Sequence, residues 1–234
     1  MITAKEMAQK IKDSHKIVFM TGAGVSTPSG IPDYRSMEGI YTKSGLKEPE
    51  YLLSRHAMLR DTADFYAFIK QLYKTGAQPN PIHLKMAELA STKDVTVITQ
   101  NIDGLHKMAD SQLQVVEFHG TLADCRCEAC GTLLTSETFL QDYRHEGCGG
   151  LIRPNVVLYD EQIAYLDISH ALSALRQAQL IVIVGTSFKV YPFAGLIQEA
   201  NPAAEIYTIN KEPVAVTRAA GHYVGDALEV FQAL

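Results

Sequence analysis

The sequence predicts an α/β fold: a Rossmann-like, doubly wound parallel sheet that carries a smaller inserted lobe. Three observations predict it. Short apolar runs recur along the chain, and each stops at glycine or at a polar residue. Amphipathic stretches of helical period separate several of those runs. Two segments break the alternation, one rich in aromatic residues and one holding every cysteine.

Residues 3–13 open with helical spacing, Met7, Ala8 and Ile11 sharing one face. The run Ile17-Val18-Phe19-Met20 follows and stops at Thr21-Gly22. A short run that is apolar on both faces reads as a buried parallel strand. The pattern returns at 95–99 before Gln100-Asn101, at 115–118 before His119, at 180–184 before Gly185-Thr186, and at 206–209 before Asn210. Helical stretches at 82–90 and 168–178 lie between. Such alternation builds a parallel sheet through crossover helices. Ligands of these sheets bind outside the carboxyl ends of the strands. The loops starting at Gly22, Gln100, His119, Gly185 and Asn210 are therefore expected to face one crevice. The implied division is a sheet domain of residues 1–36, 75–120 and 154–234. A helical insert at 37–74, with Phe65, Tyr66, Phe68, Ile69, Leu72 and Tyr73 at helix-like intervals, and a cysteine insert at 121–153 form the small lobe.

Composition narrows the function classes. The 234 residues are 47% hydrophobic and 20% charged, the balance of a globular protein with a sizeable core. The net charge of −5 argues against direct nucleic-acid binding through a broad basic surface. No signal-peptide profile opens the chain, and its apolar runs are too short to span a bilayer. A cytoplasmic monomer without membrane contact is expected. The four cysteines, Cys125, Cys127, Cys130 and Cys148, lie in one stretch. That clustering, with a two-residue spacer, points to a metal site in a reducing compartment rather than to disulfides.

The segment after the first strand is glycine-rich: Gly22-Ala23-Gly24-Val25-Ser26-Thr27, running on to Ser29-Gly30-Ile31-Pro32-Asp33-Tyr34-Arg35-Ser36. Glycines here let the backbone approach a diphosphate closely. The dinucleotide fingerprint GxGxxG needs glycine at position 27, where Thr27 stands, so a hydride-transfer enzyme fits poorly. The longer string resembles the first signature of the sirtuins. The resemblance continues through Thr99-Gln100-Asn101-Ile102-Asp103-Gly104-Leu105-His106, His119-Gly120, Arg153-Pro154-Asn155-Val156-Val157, Gly185-Thr186-Ser187 and Val190-Tyr191-Pro192. It covers nearly the whole chain in the family's order and implies a bacterial-type minimal catalytic core.

Sirtuins split the nicotinamide–ribose bond of NAD and pass the acyl group of a protein lysine to ADP-ribose. The resemblance therefore implies an NAD-dependent lysine deacetylase or deacylase that consumes NAD and acts on acetyl-lysine proteins or peptides. It implies NAD contacts at Gly22, Ala23, Gly24, Thr27, Asp33, Tyr34 and Arg35, the last through a forked, permanently charged guanidinium. Gln100, Asn101, Ile102 and Asp103 match the pocket for nicotinamide and its ribose, and helix capping is a compatible role for Asn101 or Asp103. His119 matches the general base, and an imidazole titrating near neutrality suits that task. Asn101 stands beside it as the second catalytic candidate. Gly185, Thr186, Ser187, Asn210 and Ala227 would line the adenosine half. Val156, Val157, Phe188 and Val190 would border the acyl-lysine channel, the 185–190 loop pairing with peptide backbone. Family members that prefer acidic acyl groups carry Tyr-x-x-Arg where this chain has Tyr66-Ala67-Phe68-Ile69. Acetyl over succinyl is the expectation. Two other readings use the same pocket: mono-ADP-ribosyl transfer to protein, and a non-catalytic NAD or ADP-ribose sensor.

Cys127 and Cys130 match the family's first zinc pair. The second should also be CxxC, but the chain reads His145-Glu146-Gly147-Cys148. Three readings stay open: a structural zinc held by Cys127, Cys130, Cys148 and His145; the same site with Cys125 as fourth ligand; or no metal.

Overall fold

The computed structural model describes residues 1–32, 49–73 and 76–234. The five expected strands, joined by one the sequence did not predict, form one parallel six-stranded sheet: β1 (Lys16–Thr21), β2 (Asp94–Thr99), β3 (Gln114–Glu117), β7 (Leu180–Val184), β8 (Glu205–Asn210) and the unexpected β9 (Gly221–Val224). The order is β3-β2-β1-β7-β8-β9. The chain thus winds outward from β1 one way, then returns and winds the other way from β7.

Both faces of the sheet are covered, which explains strands apolar at every position. Ile17 and Phe19 on β1, with Leu180, Val182 and Val184 on β7, join one core together with Met7, Ile11, Met86 and Phe231. Val18, Met20, Ile181 and Ile183 point the other way, into a core shared with Ala171, Leu175, Phe193 and Leu196. The period of two in a strand thus feeds two cores at once. The first helix, Ala4–Asp13, begins at a capping box in which Thr3 and Glu6 satisfy each other's exposed amides. The helix Pro81–Ala90 begins at Asn80, whose amide donates in turn to the His83 ring at 3.3 Å.

The second unit is a three-stranded antiparallel sheet, β5 (Leu133–Thr135), β4 (Gly120–Cys127) and β6 (Ile152–Val156), in that order. It packs with the short helices Pro49–Leu52, Arg55–Arg60 and Thr62–Leu72 around Phe65, Tyr66, Phe68, Ile69, Phe139 and Ile152. Its link to the large sheet is tight at Gly120. The backbone there has φ +78°, and a Cβ would lie 1.9 Å from the Asn155 carbonyl oxygen, so glycine is required. Among the described residues no helix is long and apolar enough to cross a membrane.

Candidate active site

The winding direction reverses between β1 and β7, the place where such sheets open a crevice at their carboxyl ends. The loops leaving these two strands touch. The Gly24 amide donates to the Gly185 carbonyl at 2.8 Å. A Cβ on Gly24 would sit 2.7 Å from the Gly185 Cα, and one on Gly22 would sit 2.7 Å from the Thr186 Cβ. Gly185 also has φ +61°. Three glycines let two backbones meet where any side chain would hold them apart.

Above this contact lies a cavity of about 1020 Å³. Ala23, Gly24 and Thr27 line it from the β1 loop, Gln100, Asn101, Ile102 and Asp103 from the β2 loop, and His119 from the turn after β3. Gly185, Thr186, Ser187, Asn210 and Ala227 line its far side, and Val156, Val157 and Val190 its lobe side. Sixteen residues chosen from sequence thus share one wall system. Two others do not reach it. Gly22 serves through its backbone, its carbonyl accepting from the Asn101 side chain at 3.1 Å. Phe188 is buried, its ring edge-on to Phe193 at 6.0 Å, so its side chain belongs to the sheet core. Asp33, Tyr34 and Arg35 lie outside the described residues.

The polar floor is hydrogen-bonded throughout. Asn101 is buried and donates from its side chain to both the Gly22 carbonyl and the Ser26 hydroxyl, the latter at 3.0 Å. Ser26 passes its proton bond to Asp103 at 2.7 Å. Asp103 accepts also, at 3.0 Å, from the amide of Leu105, the first residue of the helix Leu105–Ala109, whose N-cap position is Gly104. Burial raises the Asp103 carboxyl above the ordinary carboxylate value; the bonds from Leu105 and Ser26 oppose it. Gln100 reaches across to the Thr186 hydroxyl at 3.3 Å. The sequence reading missed Ser26, which joins Asn101 to Asp103. Its place in the Gly-Ala-Gly-Val-Ser string was the available signal.

His119 stands between Phe118 and Phe193, its ring centroid 5.7 Å and 6.3 Å from theirs. Burial lowers its pKa, and a hydrogen bond to the Gln100 main chain partly opposes that. The imidazole is therefore neutral at neutral pH and able to accept a proton, as a general base must. His83 and His106 pack edge-on beneath the floor at 4.7 Å. Burial takes His83 down to about 4 and His106 well below its usual value. They are supports: His106 bonds the Thr21 hydroxyl at 3.1 Å, and neither lines the cavity.

In the lobe, Cys127, Cys130, His145 and Cys148 bring their donor atoms within 4.8 Å of one another. The Cys130 and Cys148 sulfurs lie 3.2 and 3.4 Å from His145 Nδ1. Cys125 is not among them. Its thiol is buried in the lobe core beside the Tyr73 hydroxyl at 3.6 Å. The donor set fits zinc: three thiols and an imidazole, closed to further ligands. Gly150 fits it too, because a Cβ there would meet the Cys127 sulfur at 2.7 Å. The Thr132 hydroxyl helps to lower the Cys130 thiol to about 6, favouring the thiolate that a metal takes.

Residues 22–192, spanning both crevice loops and the cysteine lobe, match the Sir2 family model. A Listeria monocytogenes serotype 4b (strain F2365) protein named NAD-dependent protein deacetylase is 49% identical over 227 residues, 97% of this chain and 98% of that one. An Enterococcus faecalis (strain ATCC 700802 / V583) protein of the same name is 47% identical over 213 residues, covering 91% and 89%. A solved Sir2 structure with deacetylated p53 peptide and 3'-O-acetyl ADP-ribose superposes with a TM-score of 0.87 at 30% identity, covering 99% of this chain and 97% of that one. The protein therefore belongs to the Sir2 family, the sirtuins.

Proposed function

We propose that this chain is an NAD-dependent protein lysine deacetylase, which transfers the acetyl group of a lysine to ADP-ribose and releases nicotinamide. The observation that carries it is His119, a neutral, half-buried imidazole in the wall of the same cavity that the glycine contact of β1 and β7 floors. The relatives at 47–49% identity bear that name over nearly their full length. Residues 1–36, 75–120 and 154–234 are assigned to the NAD-binding domain, and the inserts 37–74 and 121–153 to the small lobe. Ala23, Gly24 and Thr27, with the 185–187 loop, Asn210 and Ala227, hold the dinucleotide. Asn101 and Asp103, joined through Ser26, hold the nicotinamide end. The acyl oxygen attacks the ribose carbon as nicotinamide leaves. His119 then takes the proton of a ribose hydroxyl as that oxygen attacks the acyl carbon; the lysine amine leaves from that carbon, and water supplies the oxygen that completes acetyl-ADP-ribose. Zinc at Cys127, Cys130, His145 and Cys148 is structural, since four protein ligands leave it no open position.

The test is direct. The protein is incubated with NAD and an acetyl-lysine peptide, and the products are read by mass spectrometry. Deacetylated peptide, nicotinamide and acetyl-ADP-ribose are expected in equal amounts. ADP-ribose joined to the peptide would convert the reading to ADP-ribosyl transfer. Binding of NAD with no turnover would leave only a sensor.

A further inference from the structure

The lobe side of the crevice holds an ion network that the chemistry above does not use. Arg153 on β6 is 1% exposed, the largest of the fully buried side chains. It meets Glu161 as a fork, Nη1 to Oε1 at 2.6 Å and Nη2 to Oε2 at 2.9 Å. Nη2 donates as well to the Val156 carbonyl at 2.6 Å. That carbonyl belongs to the same peptide unit as the Val157 N–H, which donates to the His119 carbonyl at 2.9 Å. One peptide unit is thus gripped by Arg153 on one side and by the His119 turn on the other. Val156 and Val157 both line the cavity, and Glu161 further accepts the Leu158 amide at 3.0 Å.

The network continues outward. Arg55 Nη1 lies 3.2 Å from Glu161 and 3.2 Å from Glu128. Glu128 sits inside the metal knuckle, between Cys127 and Cys130. Its backbone amide donates to the Leu151 carbonyl at 2.8 Å, next to the start of β6. The loops at 22–27 and 185–187 supply no side chain to this network.

We propose that Arg153 and Glu161 are positioning residues for the acyl-lysine side of the crevice, setting the Val156–Val157 peptide unit against His119, and that Arg55 and Glu128 bring the metal knuckle under the same control. The inference rests on the deacetylase reading above. A buried ion pair often adds little net stability over apolar packing, and its gain is a fixed geometry. Fixed geometry at a channel wall matters because small displacements there cost binding and rate steeply. The nucleotide side is built from other loops, so the signature is a split: peptide affinity falls and nucleotide affinity does not.

The zinc-loaded full chain is compared with Glu161→Gln, Arg153→Lys and Glu128→Gln. Binding of a fluorescent acetyl-lysine peptide is followed by anisotropy and binding of ADP-ribose by calorimetry, with KM for peptide and NAD measured alongside. Glu161→Gln and Arg153→Lys are expected to weaken peptide binding and raise peptide KM by about tenfold, and to leave ADP-ribose affinity and NAD KM within about twofold. Glu128→Gln, at the lobe surface, should show the same split at about threefold. Should the buried variants fail to fold by circular dichroism, Glu128→Gln decides alone. Equal weakening of peptide and ADP-ribose, or unchanged peptide binding in folded variants, overturns the proposal. Failure of the deacetylase reading appears separately, as absent turnover in wild type.

Discussion

The two halves of the crevice are made of different material. Its nucleotide side is set by a close meeting of main chains, the Gly24–Gly185 hydrogen bond and the Gly22 carbonyl, over which the Asn101–Ser26–Asp103 side chains link up. Its lobe side is mostly side chain: the Arg153–Glu161 fork, the Tyr66 hydroxyl donating to the Ile152 carbonyl at 2.6 Å, and the thiols and imidazole of the metal cluster. Backbone construction tolerates few substitutions but needs only glycine and correct strand ends. Side-chain construction depends on particular atoms meeting across long sequence distances. The two halves should therefore fail differently when altered.

The largest difference is expected at the metal. Structural zinc contributes on the order of 10 kcal/mol to small domains that depend on it. Cys148→Ser should lose zinc and unfold the lobe, while the large sheet, whose cores lie apart from the cluster, stays folded. Cys125→Ser should keep zinc, since that thiol points into the lobe core. Metal content by plasma mass spectrometry and segment-resolved hydrogen exchange decide it. Full zinc in Cys148→Ser, or none in Cys125→Ser, breaks the assignment of ligands.

Next comes the base. His119→Ala should lower turnover by roughly 10³-fold, the middle of the range for general-base removal, with NAD binding retained. The nucleotide side would remain intact because its loops make their own contacts. Turnover near wild type would remove His119 from its role. Lowered by burial, the wild-type imidazole stays neutral further into acid, so the acid limb of kcat should fall below pH 6.5.

A smaller effect concerns the acyl group. Tyr66 and Ile69 both lie in the lobe core, and neither lines the cavity. Among the described residues that line the cavity there is no arginine to meet a succinyl carboxylate. Burying that charge unpaired should favour the acetyl peptide by roughly 10²-fold in kcat/KM. Equal rates on matched acetyl and succinyl peptides would contradict it.

Legibility in the sequence followed the same division. Strands β1, β2, β3, β7 and β8 were readable because a strand buried on both faces leaves an unbroken apolar run ending at a loop residue. Strand β9, Gly221-His222-Tyr223-Val224, was not, being an edge strand of four residues whose burial alternates. The antiparallel β4 and β6 escaped too; their register shifts between Thr121 and Cys125, and arginines interrupt their pattern. The crevice residues were found by their places at strand ends and by family resemblance. The fourth metal ligand was readable as His145, standing where the family's second pair has its cysteine, and packing then sets the alternative Cys125 apart in the lobe core. The Arg153–Glu161 fork left no periodic signal at all. Phe188 differs from its neighbours, which line the cavity, because its φ of +55° goes with a ring turned into the core.

The smallest expected effect separates the halves by acid. His83 is held at about 4 by burial, below its ordinary 6.5. The folded state thus binds fewer protons than the unfolded one between those values, and stability present above pH 6.5 is lost as pH falls toward 4. From pH 7 to pH 5 this one ring should cost about 2 kcal/mol, which a His83→Gln variant would lack. Glu161 behaves otherwise. Burial would raise its carboxyl, but Arg153, the Leu158 amide and Arg55 bring it to about 2, so the lobe fork keeps its charge through that whole window. The contacts of His83 are Ser26, Asn80 and His106, all on the sheet side. Its acid penalty, read as the shift in denaturation midpoint between pH 7 and pH 5, should be the same in zinc-loaded and zinc-stripped protein. A penalty that disappears with the metal would mean that the two halves unfold as one unit and that the division between them is structural in appearance only.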